Sequence, residues 1–140
     1  MRAIIDREGE TRHVEPGAGS RSRQTAPGAL LRVEGGVLLV TSALFYWVNG
    51  GSWVLFALLI LAPDLSMLGY LFGTKVGAAT YNLAHTYALP AGLAVFGVIA
   101  GSPLAVSVAL VWFAHIGMDR LVGYGLKYTS GFRDTHLDRV

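Results

Sequence analysis

Cysteine is absent from the 140 residues, which excludes disulfides, thiolate metal sites and cysteine nucleophiles. Charge is nearly absent from the middle of the chain: between Gly35 and Met118 only Asp64 and Lys75 carry a formal charge, too little to dress a span of that length as ordinary water-facing surface. There is no basic stripe with interleaved aromatics, so no nucleic-acid partner is expected. There is no repeat of 20 to 50 residues, which excludes solenoids and propellers. The apolar stretches do not alternate with polar residues and are longer than the strands of a membrane barrel.

What is present is apolar. Hydrophobic residues make up 53% of the chain and charged residues 14%, and the mean hydropathy is +0.50. Several runs approach the ~20 residues that cross a bilayer as a helix. The reading is four spans, over 30–48, 53–72, 76–99 and 104–126. Asn49, Gly50, Gly51 and Ser52 break the first hairpin, Gly73 and Thr74 precede Lys75 at the second, and Gly101, Ser102 and Pro103 break the third, Pro being suited to the first turn of a helix. Loops this short predict an all-α fold, an integral membrane four-helix bundle with up-down-up-down topology.

The remaining charge has a pattern. Every Lys and Arg lies at the amino-terminal end, in the loop at Lys75 or from Arg120 onward, which is one face of such a bundle, so both termini are expected in the cytoplasm. The net charge of +2 then reflects orientation in the membrane. Residues 1–29 mix Arg with Asp and Glu, add Gly, Ser and Pro, and lack apolar periodicity, so a disordered cytoplasmic tail is expected, with 30–140 as the membrane domain. The first apolar run begins too far along to read as a cleaved signal peptide and is expected to be a retained span.

Two histidines and two aspartates sit inside these apolar stretches: Asp64, His85, His115 and Asp119. An ionisable group at bilayer depth costs several kcal/mol unless it is paired, neutralised or bound to an ion, and is a functional-site hypothesis by default. At 1.5 Å rise per residue, Asp64, His85 and His115 fall at one level, roughly 16 Å from the outer face, with Asn82 and Asp119 roughly 21 to 22 Å from it and Tyr70 and Glu34 a little deeper. Asn82 and His85 share one helix face, as do His115 and Asp119.

Neutral imidazole and carboxylate are the usual ligands of zinc, manganese or non-haem iron, and residues at i and i+4 can clasp one ion. On this reading Asp64, His85, His115 and Asp119 are metal ligands and catalytic groups, and Asn82, Tyr70 or Glu34 orient substrate or water at an inward-facing site. The substrate class is a lipid or lipid-linked ester or phosphoester, and membrane lipids are the expected partners. Three alternatives stay open: a small transporter or proton-relay protein, a haem protein with His85 and His115 as axial ligands, and interhelical hydrogen bonding alone, with Asp64 capping a half-helix after Pro63. Asp134 and His136 could fold back to the inner mouth, Gly131 and Phe132 letting the segment turn. Gly77, Ala78, Gly92 and Gly97 allow close helix approach, within one chain or between copies, so self-association also stays open.

The segments Ala62-Pro63-Asp64-Leu65-Ser66, Tyr81-Asn82-Leu83-Ala84-His85-Thr86-Tyr87, Ala114-His115-Ile116-Gly117-Met118-Asp119-Arg120 and Gly123-Tyr124-Gly125-Leu126-Lys127-Tyr128, closing with Phe132 to Leu137, resemble a bacterial membrane family catalogued as domain of unknown function 4260. The resemblance covers roughly Leu30 to the carboxyl terminus and implies four spans in the bacterial cytoplasmic membrane, with no activity attached. The order Pro63-Asp64, His85-Thr86 and His115 to Asp119 is also similar to membrane-bound metal-dependent hydrolases related to the LexA-regulated inner-membrane proteins. That likeness implies the same four ligands. This chain departs from their pattern at Ser66, where a second acidic residue is usual, and at Asn82, where another His is.

Overall fold

A computed structural model describes residues 26–130 and 134–139. The expected tail, apart from its last residues, lies outside the described residues, as do Gly131 and Phe132. The described chain is helical, and the one strand-like feature among the described residues is an isolated antiparallel bridge between Lys127 and Thr135. Helix α1 runs Ala26–Val48, α2 Trp53–Leu59, α3 Thr74–Ala84, α4 Ala88–Ile99 and α5 Pro103–Val122, with a 3-10 helix over Ala62–Phe72 between α2 and α3. Taken end to end these give four segments long and apolar enough to cross a membrane: Ala26–Val48, Trp53–Phe72, Thr74–Ile99 and Pro103–Val122. Leu71, Phe72 and Ile99 are about four-fifths exposed, a surface suited to lipid and costly in water.

Two of the four spans are broken, and proline accounts for both breaks. Pro63 has no N–H to give the carbonyl of Leu59, where α2 ends, and its ring crowds that carbonyl; the chain continues as the 3-10 helix. Pro90 stands in the same relation to Thr86, and the helix is interrupted over His85, Thr86 and Tyr87 before α4 begins. The third span, expected as one helix over 76–99, is therefore two.

Such an interruption exposes backbone carbonyls that must find donors away from water. They do. Trp112 Nε1 donates to the carbonyl of Ala84 at 2.7 Å, and the Arg120 guanidinium donates to that of His85 at 3.4 Å and to that of Tyr124 at 3.0 Å.

Helix α5 is the unbroken centre. It packs against α1 on one side and α4 on another, while α3 packs against the 3-10 helix. Ser102 caps its start, accepting from the Ala105 N–H at 3.3 Å, with Pro103 in the first turn. Gly35 of α1 and Gly117 of α5 let the two backbones touch: a Cβ on Gly117 would stand 2.7 Å from the carbonyl oxygen of Gly35 and 2.7 Å from the Leu39 nitrogen. Gly77 gives room to the Tyr70 ring and Gly97 to Val106, as small residues at a crossing should. A Cβ on Gly92 would meet nothing within 4 Å, so that position serves no helix contact within the chain.

The end of α5 turns the chain back. Gly123 adopts φ 99°, and the N–H groups of Gly123 and Tyr124 donate to the carbonyls of Arg120 and Asp119 at 3.1 and 2.7 Å, a left-handed helix stop that only glycine accepts without strain. The returning strand pairs Lys127 with Thr135. His136 is tied in twice, its N–H donating to the Leu126 carbonyl at 3.0 Å and its Nδ1 accepting from the Leu126 N–H at 2.8 Å.

Candidate metal centre

The two helix breaks and the unbroken α5 each carry part of one cluster. Asp64 follows the proline that starts the 3-10 helix, His85 is the residue at which α3 stops, and His115 and Asp119 lie one turn apart on α5. One ligand-capable atom from each comes within 4.8 Å of all the others. His85 and His115 are almost fully buried, at 1% and 0% exposure, and the Asp119 side chain is 11% exposed against 38% for Asp64. Asp64 is thus the open edge of an otherwise enclosed group.

The distances within the cluster are compatible with a cation site. His85 Nε2 lies 3.5 Å from Asp64 Oδ1 and 3.5 Å from Asp119 Oδ2, and His115 Nε2 lies 3.6 and 3.8 Å from the same two atoms. Hydrogen bonds between nitrogen and oxygen fall at about 2.7–3.2 Å, so these four His–Asp contacts are longer than hydrogen bonds, while the two imidazoles meet at hydrogen-bond distance, 3.0 Å between their Nε2 atoms. A tetrahedral ion about 2.0–2.1 Å from each ligand instead sets its ligand atoms about 3.3–3.4 Å apart. The two Nε2 atoms are 3.0 Å apart, and with the four longer separations they bracket that value.

The surroundings of His85 prepare it to offer a lone pair. Its Nδ1 is 2.8 Å from the Tyr81 carbonyl oxygen. A proton on Nδ1 is the one arrangement that makes that contact favourable, and it leaves Nε2 free of hydrogen. The Tyr81 ring stacks on the imidazole at 3.7 Å between centroids, and the Tyr81 hydroxyl donates to Asp119 Oδ2 at 3.0 Å. One residue therefore orients two members of the cluster. His115 is held differently: its Nδ1 is buried with no hydrogen-bond partner, and its Nε2 meets His85 Nε2 at 3.0 Å.

Beside the cluster lies a cavity of about 230 Å³ lined by Asp64, Met67, Tyr81, Asp119, Tyr124 and Lys127. Lys127 is 7% exposed, with its ammonium 4.4 Å from the centroid of the Tyr81 ring and 5.5 Å from that of Tyr70. Burial pushes its pKa below the usual lysine value, and the charges of Asp119 and Asp64 oppose that push. A separate apolar cavity of about 310 Å³, lined by Pro63, Ser66, Ala84 and Trp112 among others, lies against the residues flanking Asp64.

The three residues expected to orient substrate or water fall in different places. The Asn82 amide bonds the Lys127 backbone at both ends, donating to its carbonyl at 2.8 Å and accepting from its N–H at 2.7 Å, so Asn82 positions Lys127. Tyr70 is half-buried beneath the Lys127 ammonium. Glu34 is exposed on α1 and lines a third cavity of about 260 Å³ with His85, Arg120 and His136. The carboxyl-terminal segment does fold back, yet His136 faces that third cavity and Asp134 bonds Ser130, so neither joins the four.

His85 and His115 converge on one point with their rings inclined at 65°. Axial haem ligands must face each other across a macrocycle, and nitrogens 3.0 Å apart leave no room for one.

Fold and cluster together define a class: a four-span membrane protein with a buried His and Asp group, suited to a cation, where two of its helices are broken. The chain belongs to the family described as Domain of unknown function (DUF4260), which matches residues 28–140. No match is found among curated proteins or among solved structures.

Proposed function

We propose that the protein is an intramembrane zinc hydrolase acting on a lipid or lipid-linked ester or phosphoester, with the ion held by Asp64, His85, His115 and Asp119. The observation that supports this reading is the convergence of one atom from each of the four residues, with His-to-Asp separations of 3.5, 3.5, 3.6 and 3.8 Å that are longer than hydrogen bonds and near the edge of a metal tetrahedron. The similarity of the Asp64, His85 and His115-to-Asp119 order to membrane metal-dependent hydrolases supports the same chemistry. Two histidines with two carboxylates suit zinc, manganese or iron, and metal analysis of the purified protein discriminates among them.

A divalent ion held by these residues would supply a Lewis acid that lowers the pKa of water. An ion held by all four side chains has no vacant tetrahedral position, so Asp64, the exposed edge of the cluster and part of the wall of the 230 Å³ cavity, would give up its place to water and take the proton from it. The water oxygen bonds to the carbonyl carbon or phosphorus, the bond to the alkoxide oxygen breaks, and the proton on Asp64 passes to the departing alcohol. Tyr81 holds Asp119 and His85 throughout.

The test is turnover by the purified, zinc-loaded protein on a panel of lipid esters and phosphoesters in nanodiscs. Hydrolysis that a chelator abolishes, zinc restores and Asp64→Asn lowers by 100-fold or more is the expected result. Turnover that is indifferent to chelation, or no turnover on any substrate of the panel, counts against it.

A further inference from the structure

Lys127 raises a question that ester hydrolysis alone leaves unanswered. Its ammonium is placed beside the cluster with unusual care: the Asn82 amide grips its backbone from both sides, the bridge to Thr135 holds the returning strand, and the side chain is 7% exposed with its charge over the faces of Tyr81 and Tyr70. It lines the same 230 Å³ cavity as Asp64 and Asp119. Desolvating a lysine is costly, and such a charge is retained where it meets an opposite charge.

The charge arithmetic depends on the ion. Without it, the Asp64 and Asp119 carboxylates on the cavity wall disfavour an anion. A divalent ion held there would add two positive charges beside the Lys127 ammonium, so the loaded cavity would draw an anion more strongly than the ion-free one. A neutral carboxylic ester offers nothing to that ammonium. A phosphate does, since its oxygens can meet both the ion and the lysine, which serves phosphate as a point charge. The cavity is also smaller than the about 300–1,000 Å³ of sites that enclose drug-sized ligands, which suits a headgroup whose chain stays outside.

We propose that this cavity binds a phosphate group, through the Lys127 ammonium and the ion together, and that the substrate is accordingly a phosphate-bearing molecule. The inference rests on the metal reading above.

The experiment titrates inorganic phosphate into purified protein in nanodiscs, zinc-loaded and zinc-free, with zinc content measured on each sample. The zinc-loaded wild type binds phosphate, the zinc-free protein binds it at least tenfold more weakly, and Lys127→Met binds it at least tenfold more weakly with zinc content unchanged. Nanodiscs containing phosphatidic acid should compete with phosphate where those containing diacylglycerol do not, which assigns a lipid headgroup. Phosphate binding without that competition assigns free phosphate. If Lys127→Met does not hold zinc, phosphate-dependent protection of Lys127 from amine acylation, read by peptide mass spectrometry on the wild type, replaces it. Phosphate that fails to bind the zinc-loaded wild type, binds Lys127→Met as tightly, or leaves Lys127 unprotected overturns the proposal while leaving the metal reading standing. A wild type that holds no zinc counts against both.

Discussion

At the scale of single residues, Tyr81 carries more than its place in the sequence suggests. Its hydroxyl, its ring and its backbone carbonyl each engage a different feature of the cluster: Asp119, the face of His85 and the Nδ1 of His85. Tyr81→Phe removes only the first. Outer partners of metal ligands are commonly worth 10- to 100-fold in affinity, so Tyr81→Phe is expected to weaken zinc binding by about that range while leaving the fold intact, as competition with a chromophoric chelator would measure. An unchanged affinity would mean that Asp119 does not ligate. Tyr81 lies four residues before His85, so helical spacing alone could have pointed to it. Lys127 is legible only as a cation close in sequence to Asp119, because it follows the glycine stop at Gly123 and its place beside the cluster depends on the turn and on Asn82.

At the scale of elements, the two proline breaks and the glycine crossing do different work. Pro63 and Pro90 free the backbone where Asp64 and His85 must leave helical register, and the stop at Gly123 brings Lys127 round. The break after Pro63 is readable because Asp64 follows it directly. The one at His85 is equally written in the chain, but its cause stands five residues downstream at Pro90, and an apolar run reads straight through it. The 3-10 winding over Ala62–Phe72 has no marker in the sequence beyond its starting proline. Depth counting places Asp64, His85 and His115 together correctly, yet sets Asp119 a turn deeper, since rise per residue ignores where side chains reach. The contact of Gly35 with Gly117 is likewise invisible in one sequence, because a small residue does not name its partner. Gly117→Val forces side-chain atoms against the α1 backbone, and overpacking of this kind costs about 1–3 kcal/mol or more. It should lower the thermal midpoint in detergent, while Gly92→Val, in open space, should leave it nearly unchanged. Equal losses at both positions would mean that the α1 and α5 crossing is not as described.

At the scale of the whole molecule, length and hydropathy suffice for the four spans, and the all-α membrane architecture is legible from composition and loop punctuation. Orientation follows from a different quantity, the placement of Lys and Arg. On the proposed inward orientation a reporter fused at either terminus reads cytoplasmic, and one inserted at Gly50 or Ser102 reads external. The opposite pattern would put the Lys127 cavity on the outer side of the membrane.

All of this converges on whether one ion occupies the cluster. The most direct measurement is metal analysis with X-ray absorption on the purified protein and on alanine variants of Asp64, His85, His115 and Asp119. The account predicts one zinc per chain, two nitrogen and two oxygen neighbours at about 2.0–2.2 Å, and loss of most of the metal in each variant. A folded wild type without bound divalent ion, or one whose metal content is indifferent to all four substitutions, would contradict it.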